Sequence, residues 1–220
     1  IDNPVHAYSI NIVASIFGII AFSALSMLCL PAWLWFVVIS IITLTLSCRS
    51  NILFIIQTAI FVILATSLAF MMNISNNSKI IWSPYYRITY TKPLININDI
   101  GHQLMVNYHN DTNPAYNLAN LIARDSHSKI FEDVLVIGSG SGNDVAHQLL
   151  YGAKRIDAVD IEPTVIKIGK EDHPNKPYEN ANVSIINDDG RSFLKSTEKK
   201  YDLIVYGAVD SITLMSGFSS

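Results

Sequence analysis

Strand and helix patterns alternate from residue 133 onward, a glycine-rich turn joins the first such strand to its helix, and residues 1–78 carry almost no charge. Together these predict an α/β protein: a doubly wound, Rossmann-like parallel sheet preceded by a small β-meander and an α-helical transmembrane region. The 220 residues are 50% hydrophobic and 15% charged, with a mean hydropathy of +0.31. That balance is too apolar for a disordered chain and for an ordinary soluble domain. Every charged residue except Asp2 and Arg49 lies from Lys79 onward. The expected division is therefore a transmembrane region at 1–78, a β-meander at 79–112 and a Rossmann-like domain at 113–220. The net charge of −3 provides no basic footprint, so nucleic acid is not an expected partner. Cys29 and Cys48 lie in the apolar part and suggest neither a disulfide framework nor a metal site.

A bilayer core about 30 Å thick takes about 20 apolar residues per helical crossing, and residues 9–30, 31–47 and 52–72 approach that requirement. Three transmembrane helices are expected, the second being short unless it draws residues from beyond Pro31. A cleavable secretory signal is not expected, because no basic n-region precedes the first segment and further apolar segments follow. Arg49 lies before the third helix, and Lys79, Arg87 and Lys92 follow it, which places residues 79–220 in the cytoplasm. Trp33, Trp35 and Trp82 suit interfacial anchoring and ordinary packing equally well.

Between Ile80 and Asn107 short apolar and polar alternations (Arg87–Tyr90, Leu94–Ile97, Gln103–Val106) are punctuated by Pro93, Asn98, Asp99 and Gly101, the pattern of a meander. Pro114 opens a helix that sets Tyr116, Leu118, Leu121 and Ile122 on one face. Strands follow at Asp133–Ile137, Arg155–Asp160, Val183–Ile186 and Tyr201–Tyr206. Helices are expected near Asp144–Tyr151, from Pro163 and near Arg191.

The sharpest signal is Gly138-Ser139-Gly140-Ser141-Gly142, between the first of these strands and its helix. A turn without side chains lets a nucleotide approach the backbone, and the helix N-terminus offers free N–H groups. Asp160 stands twenty-two residues after Gly138 at the end of the second strand, where a carboxylate can accept from both ribose hydroxyls. The dinucleotide fingerprint wants Gly where Asn143 stands, which favours a nucleoside without pyrophosphate, such as S-adenosylmethionine, over NAD. Asp188-Asp189-Gly190 closes the third strand on the same edge; one carboxylate suits an adenine amino group and either suits a helix cap. A purely structural turn is the competing explanation for the glycines.

Several runs resemble the polyamine aminopropyltransferase (spermidine synthase) family over residues 82–211. They are Val134-Leu-Val-Ile-Gly-Ser-Gly-Ser-Gly, Ala158-Val-Asp-Ile-Glu-Pro-Thr-Val-Ile, Asp189-Gly190 with Phe193-Leu194, Tyr201-Asp-Leu-Ile-Val and Trp82-Ser-Pro-Tyr-Tyr. With apolar helices attached, the chain is similar to a bacterial, membrane-fused branch of that family. The resemblance implies a multi-pass protein of the bacterial inner membrane, with S-adenosylmethionine or its decarboxylated form as substrate, no metal, and a small-molecule amine as acceptor. Self-association is left open. It also implies that Asp160 occupies the ribose-binding position, that Asp189 and Gly190 occupy the adenine-binding one, and that Gly138, Gly140 and Gly142 form the nucleoside turn.

The acceptor contacts depart from the family. Tyr86 replaces its Gln, Asn117 beside Tyr116 replaces its His, Ser141 replaces a polyamine-binding Asp, and Gly207 replaces the general base, while Asp210 keeps the second Asp of that motif. Tyr86, Gln103, Tyr116 and Ser141 are the expected acceptor contacts, and Asp210 the expected catalytic carboxylate. Asp144, just after the turn, is within reach of the same pocket or serves as a helix cap. His102 faces the expected cleft or is a structural histidine. Aminopropyl transfer needs an ammonium held by carboxylates and relieved of one proton, which Ser141 and Gly207 cannot do. Methyl transfer, or nucleoside binding without catalysis, fits the same nucleoside half. The fold of this family continues past the strand at Tyr201–Tyr206, so a longer protein is expected.

Overall fold

In the computed structural model, which describes residues 4–47, 51–74, 77–110, 114–127 and 129–207, the apolar segment forms three helices. These are α1 (Pro4–Met27), α2 (Ala32–Ser47) and α3 (Ile52–Met71). At 1.5 Å per residue they span about 36, 24 and 30 Å. Two of them, α1 and α3, are long and apolar enough to cross a membrane, and α2 falls short of the expected third crossing. It gains nothing from the far side of Pro31. Cys29 there takes the left-handed conformation (φ 55°) and donates its N–H to the Ser26 carbonyl, ending α1, and Pro31 cannot supply a helical N–H. No residue of α1 or α3 is buried, and Phe61 is 72% exposed. The tryptophans pack internally: Trp35 edge-on to Phe22 (centroids 5.0 Å apart), Trp33 to Phe70 (5.7 Å), and Trp82 with its indole N–H on Asn73 Oδ1 (2.8 Å). These helices belong to the first of two units, Ile1–Arg87, which also contains β1 (Lys79–Trp82).

The second unit, Ile88–Ser220, opens with the meander. Strands β2 (Arg87–Thr91), β3 (Leu94–Ile97) and β4 (Ile100–Leu104) pair antiparallel, with Ile88 opposite Ile97 and Ile95 opposite Gln103. Asn98 and Asp99, both at positive φ, make the tight turn that their residue types favour. On β4 the register passes from Gln103 to Gly101, so His102 is the extra residue of a bulge, a device that re-aims a side chain.

The expected helix from Pro114 is shorter than the sequence suggests. Pro114–Tyr116 is a single 3-10 turn, and α4 runs Leu118–Asp125. Its buried face is also different: Asn120 and Ala123 turn inward, with the Asn120 amide on Gln148 Oε1 (3.0 Å), while Leu118 and Ile122 are exposed. A buried amide pair fixes the helix rotation more strictly than apolar periodicity does. Tyr116 leaves the helix and stacks on His147, centroids 5.0 Å apart.

The parallel sheet holds β5 (Asp133–Ile137), β6 (Arg155–Asp160), β7 (Val183–Asn187) and β8 (Leu203–Tyr206) in the order β7-β6-β5-β8. Helices α5 (Asn143–Leu150), α6 (Pro163–Asp172) and α7 (Gly190–Ser196) connect them. Val134, Val136, Val145, Ile156 and Ala158 build the core on one face of the sheet, and Leu135, Ile137 and Val159 meet Phe193 and Leu194 on the other. This is the doubly wound Rossmann-like arrangement expected. Because β6 and β8 flank β5, the chain reverses its direction of travel at β5, and the crevice at the carboxyl ends of β5 and β8 is the topological switch point where ligands of such folds bind. The meander is fixed to the sheet layer: Tyr90 Oη and Lys92 Nζ both donate to the Asp172 carboxylate on α6 (2.9 and 2.7 Å), and Tyr108 N–H donates to Asn175 Oδ1 (3.0 Å).

Candidate functional site

The glycine turn is built by its backbone. Gly138, Gly140 and Gly142 all take positive φ (71°, 51° and 103°), which L side chains rarely adopt. Gly142 is the N-cap residue of α5. Asp160, at the end of β6, accepts the Gly140 N–H on Oδ2 (2.7 Å) and the Glu162 N–H on Oδ1 (2.8 Å). Each carboxylate oxygen retains a lone pair for a further donor. Burial pushes the Asp160 carboxyl above the usual range, against the pull of these two N–H groups and of His102. Glu162 caps α6 by accepting from the Thr164 N–H (2.9 Å), with Pro163 in the first helical position.

At the end of β7 the two carboxylates divide. Asp189 is the N-cap of α7 and accepts the Ser192 N–H (2.9 Å), and Asp188 accepts the N–H of Asp189 (2.8 Å). Gly190 begins α7 so close to Ile137 that a Cβ there would lie 2.5 Å from Ile137 Cγ2.

On the other side of β5, the switch-point crevice opens into a cavity of about 520 Å³. Its walls are His102 and Gln103 from β4, Tyr116, Asp144 from α5, and Tyr206 and Gly207 after β8. Gln103 Oε1 accepts the Ser141 N–H at 2.8 Å, which ties the meander to the turn. Ser141 itself is 1% exposed and does not line the cavity, so its expected acceptor contact is not made here. The cause is packing from α6, where a Cβ on Gly169 would stand 2.2 Å from the Ser141 carbonyl oxygen. Tyr86 lies in the first unit, where its N–H donates to Ser83 Oγ (2.9 Å). Asp210 lies outside the described residues. Asp144 is not the cap of α5, since Gly142 is. Burial pushes its carboxyl up to about 6.

Two residues that bind the site together carry no motif. Asn143 is buried with every amide valence used: Oδ1 accepts the Val106 N–H (3.2 Å) and His173 Nε2–H (3.0 Å), and Nδ2 donates to the Leu104 carbonyl (2.8 Å) and Tyr116 Oη (3.3 Å). Tyr178 Oη bonds Ser139 Oγ (3.1 Å) and the Gly140 carbonyl (2.7 Å), bracing the turn from below. The deviation from the dinucleotide fingerprint at position 143 was the available signal for the first, and nothing in the local sequence marks the second. Among the described residues no cluster of metal-ligating side chains occurs.

Residues 122–220 match the spermine/spermidine synthase domain family. The chain is 33% identical over 84 residues to a polyamine aminopropyltransferase of Alkaliphilus metalliredigens, covering 37% of this chain and 30% of that protein. It is 31% identical over 86 residues to one of Sulfolobus acidocaldarius, covering 37% and 28%. The chain thus spans under a third of the length of these curated relatives. Among solved structures, the spermidine synthase of Thermotoga maritima superposes with a TM-score of 0.44 and 14% identity, covering 62% of this chain and 45% of that one. Through its residues 122–220, the chain is similar to the spermidine synthase-like family.

Proposed function

We propose that the chain is a membrane-anchored, spermidine synthase-like transferase that binds decarboxylated S-adenosylmethionine or S-adenosylmethionine and transfers an aminopropyl group to a small-molecule amine. The observation that carries this reading is the Asp160 carboxylate, fixed by the Gly140 and Glu162 N–H groups at the mouth of the glycine turn. A nucleoside fits this arrangement: the side-chain-free turn admits it, and the spare lone pairs of Asp160 suit two ribose hydroxyls. Asp188 and Asp189, on the next strand end, suit the adenine edge. The cavity on the β8 side suits the acceptor, with Gln103 and Tyr116 in its wall and Asp210 as a further acceptor-side residue. Helices α1 and α3 supply the anchor, and Arg49, Lys79, Arg87 and Lys92 orient the polar domain toward the cytoplasm.

Methyl transfer is the second reading, favoured by one observation. Gly207 and the buried Ser141 leave both of the family's acceptor-side carboxylate positions without charge, and methyl transfer depends mainly on positioning. Calorimetry of the detergent-solubilised chain with each sulfonium compound, followed by turnover with 1,4-diaminobutane, tests both. Release of methylthioadenosine supports aminopropyl transfer, and release of S-adenosylhomocysteine supports methyl transfer. If neither sulfonium compound binds, both readings fail.

A further inference from the structure

The geometry points to Asp144 as the carboxylate that binds the acceptor amine and takes its proton, standing in the space that a side chain at position 207 would otherwise fill. This inference rests on the transferase reading above. It begins from Gly207, where a Cβ would meet the Gly138 carbonyl oxygen at 2.5 Å and Asp144 Oδ2 at 2.9 Å. Asp144 Oδ2 therefore already stands where a side chain on residue 207 would enter. The negative group at this point is presented by the first turn of α5.

Three features suit Asp144 to the role. Among the described residues it is the one carboxylate lining the cavity. No ion pair among the described residues engages it, whereas Asp133, Asp157 and Asp172 are each held by a lysine or arginine. Burial without a compensating cation pushes its carboxyl up to about 6, which brings it closer to an aliphatic ammonium titrating near about 10 and makes proton uptake less uphill. His102, Tyr116 and Tyr206, which also line the wall, carry no carboxylate.

The step balances as follows. The acceptor ammonium gives one proton to the Asp144 carboxylate. The freed nitrogen lone pair forms the new N–C bond at the carbon attached to the sulfonium sulfur. The C–S electron pair passes to sulfur, which leaves as a neutral thioether, and the product nitrogen carries the positive charge.

The test uses the full chain in detergent, with n-butylamine and 1,4-diaminobutane titrated calorimetrically in the absence of nucleoside. Asp144→Asn keeps the shape of the side chain and removes its charge. It is expected to weaken amine binding by about tenfold or more, while Asp144→Glu stays within about threefold of the parent. With decarboxylated S-adenosylmethionine at saturating amine, Asp144→Asn is expected to slow thioether release by about 100-fold, within the range for losing a general base. Unchanged amine affinity in Asp144→Asn, absence of amine binding to the parent chain, or unchanged turnover overturns the inference. Nucleoside affinity is measured separately on the same samples: its absence from the parent chain overturns the transferase reading, while the amine titrations still decide whether Asp144 is the amine-binding carboxylate.

Discussion

On the β6–β7 side of β5 the carboxylates are already committed to the backbone: Asp160 holds the Gly140 and Glu162 N–H groups, and Asp189 caps α7. On the β8 side the single wall carboxylate, Asp144, has no cation beside it among the described residues, and the cavity takes its walls from the meander, the segment before α4, α5 and β8. The first side is organised by contacts within and between neighbouring strand ends. The second is assembled from segments distant in the chain. On the proposed function, ligand geometry on the first, nucleoside side is set before binding, at the expense of carboxylate lone pairs, whereas the second, acceptor side keeps an available charge and depends on long-range contacts for its shape.

The largest expected effect tests the nucleoside side. Asp160→Ala removes the proposed ribose acceptor together with the hydrogen bonds that hold Gly140 and Glu162. Bonds to a charged group are worth about 1.5–3 kcal/mol each, so loss of two to the ligand is expected to weaken nucleoside affinity by about 100-fold or more. Calorimetry on the detergent-solubilised chain measures it. Undiminished affinity would remove Asp160 from the site and dissolve the distinction between the two sides.

The contrast also explains what the sequence made legible. The glycine turn, Asp160 and the pair at Asp188-Asp189 are visible because each lies at a fixed offset from a strand end, and a strand end is a periodicity signal. The cavity had no such signature. Asn143 was legible only as a missing glycine, yet it joins Val106, Leu104, Tyr116 and His173 across the unit. Ser141 is expected at the acceptor because it stands where the resembled family has a polyamine-binding Asp, but packing from α6 buries it. Tyr116 was expected on a helical face, but it left the helix to stack on His147. Contacts of high sequence separation decide these positions, and no local pattern records them.

The next effect tests the long-range network of the acceptor side through pH. His173 Nε2–H donates to Asn143 Oδ1, while Nδ1 accepts the Asn175 N–H at 3.1 Å, so the ring must stay neutral to keep both bonds. Burial, aided by His147, lowers its pKa from 6.5 to about 4. Below pH 6.5 the unfolded chain takes up a proton that the folded chain refuses until about pH 4. Stability is therefore lost as pH falls through that window, by about 3 kcal/mol in all. Asp144, raised to about 6, acts in the opposite direction, since its burial costs stability as pH rises from 3.8 toward 6. Comparing the parent with His173→Asn isolates the histidine: thermal unfolding at pH 7 and 5 is expected to show a steeper loss in the parent, by about 2 kcal/mol. Equal slopes would mean that His173 titrates normally and that the network tolerates its charge.

The smallest effect bears on the point where the two sides meet. Gly207 donates its N–H to the Ile137 carbonyl (2.8 Å), which brings the end of β8 against the start of the glycine turn. An alanine at position 207 would place Cβ 2.5 Å from the Gly138 carbonyl oxygen, a backbone atom that cannot swing aside, and 2.9 Å from Asp144 Oδ2, which can. Overpacking of this kind costs about 1–3 kcal/mol, and a value near 2 is expected from thermal unfolding of Gly207→Ala. Asp144→Ala in the same chain is expected to recover only part of that loss, because it relieves the side-chain clash and leaves the backbone one. Full recovery would assign the whole cost to Asp144 and would show that the turn can yield. No loss at all would mean that β8 and the turn are not in register as described, and that the carboxylate on α5 does not fill the space at 207.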